Sequence, residues 1–390
     1  MNILHSEPVK LWSRNFVFII LANLTVLTAV NMLLGTLPLY VKEIGGSNLF
    51  SGLVVGVYAF TSLLSRPFIG SLIDAKGRKS MFYIGILIIF FSAISFRMAF
   101  TVSILLIIRT LQGIGFSAVS TSAGTIVADI VPSARLSEGI SYYGISLTLP
   151  TAIGPSFGLF LMEHYSYTVL FNIVAIITFI AFLFALPIQY QMRRETKIEK
   201  RSSLFEKSAL LPSLVMFFIA LGLSSILTFI PQYAATKNIE GAGMYFIFYA
   251  GSLLVCRLFS GKLADRIGPT PVVIPGVILI ALSFIILSNS LSLFGLLFSA
   301  CMFGIGFGSV QPIMNAIVIR RVSPERKGAA SAIFIASMDL GMAIGSIGWG
   351  LLSETIGFTH VYLLSSICAI ISCYVYFIMI KKSNFVRKTK

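Results

Sequence analysis

The chain has 390 residues, of which 57% are hydrophobic and only 11% are charged, and its mean hydropathy is +0.94. Soluble proteins carry about 25% charged residues, so the composition excludes a water-soluble globular protein and indicates an integral membrane protein. The net charge of +15 does not indicate nucleic-acid binding, because nearly all Lys and Arg residues between the apolar segments fall on one predicted membrane face.

Twelve apolar segments are long enough to cross a bilayer, since a spanning helix needs about 20 apolar residues. The period-2 pattern of a β-barrel is absent, so an all-α protein is predicted. The first segment has no small-residue cleavage site and is interpreted as a helix rather than a signal peptide. The positive-inside rule places the basic face, with both termini, in the cytoplasm. The predicted spans are 15–41, 49–72, 80–98, 101–127, 138–162, 166–188, 209–235, 242–264, 271–290, 292–318, 328–353 and 358–380.

The segment GSLIDAKGRK, Gly70 to Lys79, places charged residues in the short connection between spans 2 and 3. Gly77 permits a tight turn with positive φ, and Gly70 permits close approach of neighbouring backbone. Asp74, at the membrane edge, is expected to accept hydrogen bonds from the amino end of a nearby helix or from Arg78. The alternative is a solvated turn whose charges only set the topology.

Arg109 lies in span 4, about eight residues from its outer end and therefore roughly 12 Å deep at 1.5 Å per residue. An arginine at the centre of a spanning helix costs about 2.5–3.5 kcal/mol on insertion scales, so Arg109 is expected to face protein or water. Gln112 shares its helix face. From these residues alone, Arg109 has either a functional role or a structural one, in which its guanidinium binds backbone carbonyls of neighbouring helices.

Span 5 contains Gly154-Pro155-Ser156-Phe157-Gly158. Proline removes a backbone donor and bends a helix, and two glycines four residues apart allow close helix packing. A helix bend or plain helix packing would each explain the pattern.

The polar segment 189–208 divides the spans into two sets of six. It predicts an N-terminal six-helix bundle at 1–188 and a C-terminal six-helix bundle at 209–390, joined by a cytoplasmic linker. Because six is an even number, both halves enter the membrane from the same side, so they are parallel repeats related by an axis along the membrane normal.

The two halves repeat each other with a constant offset of 191 positions, which indicates an internal duplication. The second loop, GKLADRIGPT, provides Gly261, Asp265 and Gly268 but has Pro269 and Thr270 where the first loop has two basic residues. The matching pairs include Tyr58 and Tyr249, Arg66 and Arg257, Gly70 and Gly261, Asp74 and Asp265, Gly77 and Gly268, Gly113 and Gly304, Gly115 and Gly306, and Gly154 and Gly345.

Asp339, about eleven residues into span 11, is the only carboxylate near the middle of a predicted span. Burial disfavours the charged form of a carboxyl group and a cationic neighbour favours it. A carboxyl group balanced in this way is a candidate proton carrier. The alternative is a hydrogen-bonding residue that joins two helices.

The first loop resembles the signature of the major facilitator superfamily, Gly-x-Leu-x-Asp-x-x-Gly-Arg-Lys. RTLQG at 109–113 is similar to that superfamily's Arg-x-x-x-Gly motif, and GPSFG at 154–158 is similar to the motif of its drug and metabolite antiporters. The resemblance implies the major facilitator fold, with twelve transmembrane helices in two pseudo-symmetric six-helix bundles. It also implies a cytoplasmic clasp between the bundles at the two loops, proton coupling at Arg109, and export linked to Gly154, Pro155 and Gly158.

In that fold, spans 1, 4, 7 and 10 line a central cavity for an amphipathic small molecule. Its expected polar lining is Asn23, Asn31, Gln112, Ser225, Thr228, Gln311 and Asn315.

These features together predict a proton-coupled secondary transporter that exports small organic molecules across a bacterial inner membrane. Import of a small nutrient such as a sugar is the alternative within the same fold. A membrane-embedded enzyme is disfavoured because no cluster of nucleophile and base, zinc-ligand set or GxxxxGK[ST] motif is present. The expected coupling ion is the proton, with no other cofactor and no metal, and a monomer in the lipid bilayer is the simplest expectation.

Overall fold

The computed structural model describes residues 11–132, 135–189, 207–323 and 326–388. These residues are almost entirely helical, as the hydropathy pattern predicts. The helices up to the last connection are α1 Arg14–Glu43, α2 Asn48–Lys76, α3 Arg78–Ser95, α4 Val102–Ile130, α5 Leu136–His164, α6 Tyr167–Ala185, α7 Leu210–Thr236, α8 Met244–Ile267, α9 Thr270–Ser288 and α10 Leu293–Arg320.

The last helical segment, Lys327–Lys388, contains 62 residues and is interrupted at Gly357, where φ is 76° and ψ is 166°. A continuous helix of that length would extend about 90 Å at 1.5 Å per residue, three times the hydrocarbon thickness. Gly357 divides the segment into two spans, which we name α11 (residues 327–356) and α12 (residues 358–388). The twelve predicted spans are therefore confirmed within the described residues.

Helices of opposite direction alternate along the chain and define two ends of the molecule. We call the end at which α1 begins and α2 ends the linker face, because α6 ends and α7 begins there. The opposite end, at which α1 ends and α2 begins, is the far face. Of the predicted linker 189–208, only Gln189, Lys207 and Ser208 belong to the described residues.

The duplication is visible in the turns and caps. Gly77 and Gly268, 191 positions apart, both join two helices with positive φ, 88° and 90° respectively. Thr101 and Ser292, also 191 positions apart, cap α4 and α10, with each hydroxyl accepting a backbone N–H at 3.4 Å. Equivalent residues thus start and end equivalent helices.

The same register sets the helix packing inside each bundle. A Cβ placed on Gly113 of α4 would lie 2.6 Å from the carbonyl oxygen of Tyr58 in α2. A Cβ on Gly304 of α10 would meet the carbonyl oxygen of Tyr249 in α8. Only glycine allows these close approaches, so the contact between the second and fourth helices is built alike in both halves.

The two bundles touch at the far face. The Glu354 carboxylate of α11 accepts the Leu49 N–H of α2 at 2.8 Å. The Gln232 amide of α7 donates to the Pro38 carbonyl at 2.6 Å and to the Ser51 hydroxyl at 2.9 Å. These contacts join helices of different halves close to the ends where α1 and α7 finish.

None of the hydrogen bonds described between the bundles lies nearer the linker face than those of Arg66 and Arg257. Gly70 of α2, Gly144 of α5 and Gly261 of α8 have no heavy atom within 4 Å of a Cβ position. The structure is therefore closed between the bundles at the far face and open next to these three helices at the linker face.

Candidate functional site

An ion pair crosses between the bundles in the middle of the molecule. The Arg66 guanidinium of α2 lies 2.6 Å from the Asp339 carboxylate of α11, and the two side chains are 24% and 25% exposed. Asp339 was predicted as a candidate carboxylate, and the structure supplies its cation. Arg66 was noted only as part of the repeat. Its position in the interior of a spanning helix, where charge is costly, was the signal that it needed a partner.

A second contact between the bundles joins α8 to α5, at the position that the repeat makes equivalent to the first. Arg257 of α8 donates to the Thr148 hydroxyl of α5 at 2.7 Å and to the Gln311 side-chain oxygen of α10. Arg257 is 191 positions after Arg66, and Asp339 is 191 positions after Thr148. The repeat therefore builds the same arginine crossing twice, once with a carboxylate partner and once with neutral oxygen partners.

Arg109 is buried inside the first bundle rather than facing the other one. Its Nε donates to the Val54 carbonyl of α2 at 2.9 Å, and one terminal nitrogen donates to Gln112 at 2.5 Å. The guanidinium carbon lies 4.3 Å from the centre of the Tyr58 ring, within cation–π range. These contacts match the structural alternative, in which Arg109 holds α4 against α2. A role in proton coupling stays a prediction.

The charges of the two loops pair within their own bundles. Arg78 forms an ion pair with Asp129 of α4, where the sequence had suggested Asp74. In the second half Asp265 pairs with Arg320 of α10 at 3.0 Å. Positions 129 and 320 are equivalent in the repeat. Each loop therefore pairs with the same position of its own bundle, but the acidic and basic partners are exchanged.

These ties do not join the two bundles in this structure, and the predicted clasp between bundles stays a prediction. The Asp74 side chain lies outside the described residues. The close backbone approach expected at Gly70 is not made, and Gly261 is equally open, because the bundles are apart at this face. Gly77 and Gly268 form the predicted turns.

The α5 motif packs this helix on α1. A Cβ on Gly158 would lie 2.5 Å from the Met32 carbonyl oxygen, and one on Gly154 would lie 2.5 Å from the Asn31 side chain. Pro155 lies within the helix. The Ser156 hydroxyl donates to the Gly243 carbonyl at 2.9 Å, which adds a contact with the second bundle at the far face. Helix packing is the observed role, and a link with export stays a prediction.

Most of the predicted cavity residues that have a described contact bond within their own bundle. Asn23 donates to Ser146 at 3.0 Å, and Ser225 accepts from Ser365 at 3.1 Å, so both join helices within a bundle. Asn31 donates to its own helix at Leu27. Gln112 binds Arg109 and Gln311 binds Arg257, while Thr228 is buried and Asn315 is half-buried. Among the contacts described for these residues, that of Gln311 belongs to a network between the bundles, through Arg257.

Within the described residues, no group of three or more His, Cys, Asp and Glu side chains is arranged to hold a metal ion. The chemistry of the crossing is that of one carboxylate, two guanidinium groups and neutral oxygens. Such groups bind protons and small ions, and their pairing links the two bundles.

Known proteins share this architecture. The Major Facilitator Superfamily profile matches residues 19–256 and 213–390. The staphylopine export protein of Staphylococcus aureus is 23% identical, covering 86% of this chain and 88% of its own. The multidrug resistance protein MdtG of Escherichia fergusonii is 26% identical, covering 97% and 96%. The crystal structure of the nucleoside transporter NupG superposes with a TM-score of 0.74 at 16% identity, covering 94% and 99%.

The family match spans nearly the whole chain, the relatives are transporters rather than enzymes, and the fold is the duplicated twelve-helix bundle that the loop motifs indicated. The chain belongs to the major facilitator superfamily of membrane transporters.

Proposed function

We propose that the protein is a proton-coupled antiporter that exports small organic molecules by alternating access. The observation that carries this proposal is the ion pair between Arg66 and Asp339, 2.6 Å long, which connects the two halves at mid-membrane. A carboxylate at this depth needs a cation or a proton to offset its desolvation. Its protonation state is therefore linked to the contact between the bundles.

The linkage gives a simple cycle. Deprotonated Asp339 pairs with Arg66, as in the present arrangement with the linker face open. Substrate binding drives the bundles to the arrangement that is open at the far face. There Asp339 takes a proton and becomes neutral, and the loss of that proton at the linker face restores the pair with Arg66. A ligand or proton shifts such an equilibrium only through its different affinity for the two states. Proton binding from one side and release to the other would return the empty carrier.

Two features support export as the direction of transport. The basic residues of the linker face are expected to be cytoplasmic, so the open side of this structure would receive substrate from the cytoplasm. Two relatives, the staphylopine export protein and MdtG, have names that indicate export or drug resistance. Uptake of a small nutrient is the competing function, and it has the fold likeness to a nucleoside transporter in its favour.

The proposal is tested with inverted membrane vesicles containing the protein. A metabolite extract is added outside the vesicles, and a pH gradient is imposed with the acidic side in the vesicle lumen. The compounds that accumulate in the lumen are identified by mass spectrometry. Accumulation that requires the gradient supports export. If the extract is instead loaded into the inverted vesicles, compounds leave the lumen, and none accumulates under the pH gradient, the result would establish uptake.

The first prediction concerns Asp339→Asn, which removes the titratable group and keeps its size. Gradient-driven accumulation should fall to the level of empty vesicles, because no proton is exchanged at the crossing. Glu354→Gln is the matched control, since Glu354 is a carboxylate on the same helix that also contacts α2, through the Leu49 N–H at 2.8 Å. Full gradient-driven transport by Asp339→Asn would rule out this residue as the proton carrier.

A further inference from the structure

Within the part of the chain that the structure describes, Arg257 is a cation at the bundle interface without a carboxylate partner. Among the described residues, the ion pairs join Arg66 to Asp339, Arg78 to Asp129, Arg135 to Glu138 and Arg320 to Asp265, and none includes Arg257. Its partners are the neutral oxygens of Thr148 and Gln311. Where the repeat places Asp339 beside Arg66, it places Thr148 beside Arg257.

The missing counter-charge is significant because of where Arg257 lies. It is thirteen residues from the first residue of α8, Met244, and ten from the last, Ile267, so it is near the middle of the span. Its Nε is buried and makes no hydrogen bond within the described structure. A guanidinium group in this environment is stabilised by an anion more strongly than by neutral oxygens, because opposite charges attract strongly where water is excluded and an oxyanion can accept two parallel hydrogen bonds.

Two glycines leave space beside the Arg257 contact on its linker-face side. Gly144 lies one helical turn from Thr148 on α5, and Gly261 lies one turn from Arg257 on α8, each on the linker-face side. Both glycines have open space where a Cβ would stand. A small molecule entering between α5 and α8 would therefore meet no side chain at these two positions before it reaches the guanidinium.

We propose that Arg257, with Thr148 and Gln311, binds an anionic group of the transported molecule, a carboxylate or a phosphate. The planar guanidinium presents paired donors that match either oxyanion. The anion replaces the Thr148 hydroxyl as the acceptor, so that substrate binding exchanges a contact between the bundles for a contact with the ligand. The proposal rests on the transport function proposed above and adds the chemical class of the substrate.

The repeat itself suggests the decisive variant. Thr148→Asp places a carboxylate beside Arg257 at the position equivalent to Asp339, so the protein supplies its own counter-ion and competes with the ligand. Thr110→Ser in α4 is the control, because the Thr110 hydroxyl lies outside this site and donates to the Leu106 carbonyl of its own helix at 2.9 Å. Arg257→Gln removes the cation and provides a second, independent test if Thr148→Asp does not fold.

The transport experiment uses the inverted vesicles and a cell extract divided into anionic and non-anionic fractions. We expect accumulation from the anionic fraction only. It should fall at least about tenfold in Thr148→Asp and Arg257→Gln, as for loss of one partner of a buried charge pair, and change less than about twofold in Thr110→Ser. Accumulation only of non-anionic compounds, or unchanged anion transport in both variants, overturns the anion site and leaves the transport function standing.

A binding experiment separates the two proposals if no transport is detected. The melting temperature of the purified wild-type protein is measured with each fraction, because a ligand that binds the native state raises it. The anionic fraction should raise the melting temperature of wild type and Thr110→Ser but not of Arg257→Gln. An equal rise in Arg257→Gln, or no rise in wild type, refutes the anion site whatever the transport result.

Discussion

Arg66, Arg109 and Arg257 lie in the interior of spanning helices, and each is stabilised by a different kind of partner. Arg66 has a carboxylate, Arg109 has a backbone carbonyl and an aromatic ring, and Arg257 has two neutral side-chain oxygens. Charge inside the membrane is costly and is kept where it has a structural or functional role. The three environments differ in the way that the proposed roles require: a switch at Arg66, a contact between helices at Arg109 and a ligand site at Arg257.

The structural role of Arg109 predicts a loss of stability when its guanidinium group, with several N–H donors, is replaced. Arg109→Lys keeps the charge but has a single nitrogen, which cannot reach both Val54 and Gln112. Each lost hydrogen bond to a charged group is worth about 1.5–3 kcal/mol, so the melting temperature of the purified protein should fall by several degrees. The dependence of transport on the pH gradient should remain. Uncoupled transport at unchanged melting temperature would assign Arg109 to proton coupling instead.

At the scale of elements, the closest helix contacts are those that the duplication preserves. The second and fourth helices of each half meet at a glycine that faces the carbonyl of a tyrosine, at Gly113 in one half and Gly304 in the other. Lipid tails provide no hydrophobic force between helices, so close backbone packing is a main source of their association. These contacts hold the helices of each bundle together.

Gly113→Ala is predicted to destabilise the first bundle. The added Cβ would lie 2.6 Å from the Tyr58 carbonyl oxygen, and overpacking of this kind costs about 1–3 kcal/mol. Gly70→Ala is the matched control on α2, because nothing lies within 4 Å of its Cβ position and alanine favours a helix more than glycine does. Thermal unfolding in detergent should show a lower melting temperature for the first variant only; equal values would contradict the packing argument.

At the scale of the whole molecule, the two bundles are joined at the far face and apart at the linker face. The contacts near Leu49, Glu354 and Gln232 close one end, whereas Gly70, Gly144 and Gly261 border open space at the other. Alternating access requires that the closed end opens during each cycle. Transport should therefore depend on separation of the far-face contacts.

A reversible cross-link at the far face tests this requirement. In the double variant Leu49→Cys and Glu354→Cys, oxidation should join α2 to α11 and stop transport, and reduction should restore it. Each single variant is a control for the loss of the native contact and for the four natural cysteines. Undiminished transport by the cross-linked protein would show that the far face need not open.

The sequence by itself determined the membrane class, the twelve helices and the duplication. The helices and their ends arise from residues that are close together in the sequence, so the sequence alone predicts them. Examples of such local signals are the hydropathy of each span, the turn glycines Gly77 and Gly268, and the capping residue Thr101. The constant offset of 191 positions also predicted that Gly113 and Gly304 would be equivalent, and the structure confirms this in their shared contact with a tyrosine carbonyl.

Only the tertiary structure decided which charges meet. It paired Asp339 with Arg66, turned Arg109 inward onto α2, and left Arg257 facing Thr148. The partners lie on helices far apart in the chain, and a hydropathy pattern carries no information about which faces of two such helices come together. The physical reason is that membrane depth is set locally by each helix, whereas the partner of a buried charge is set by how the two bundles pack against each other.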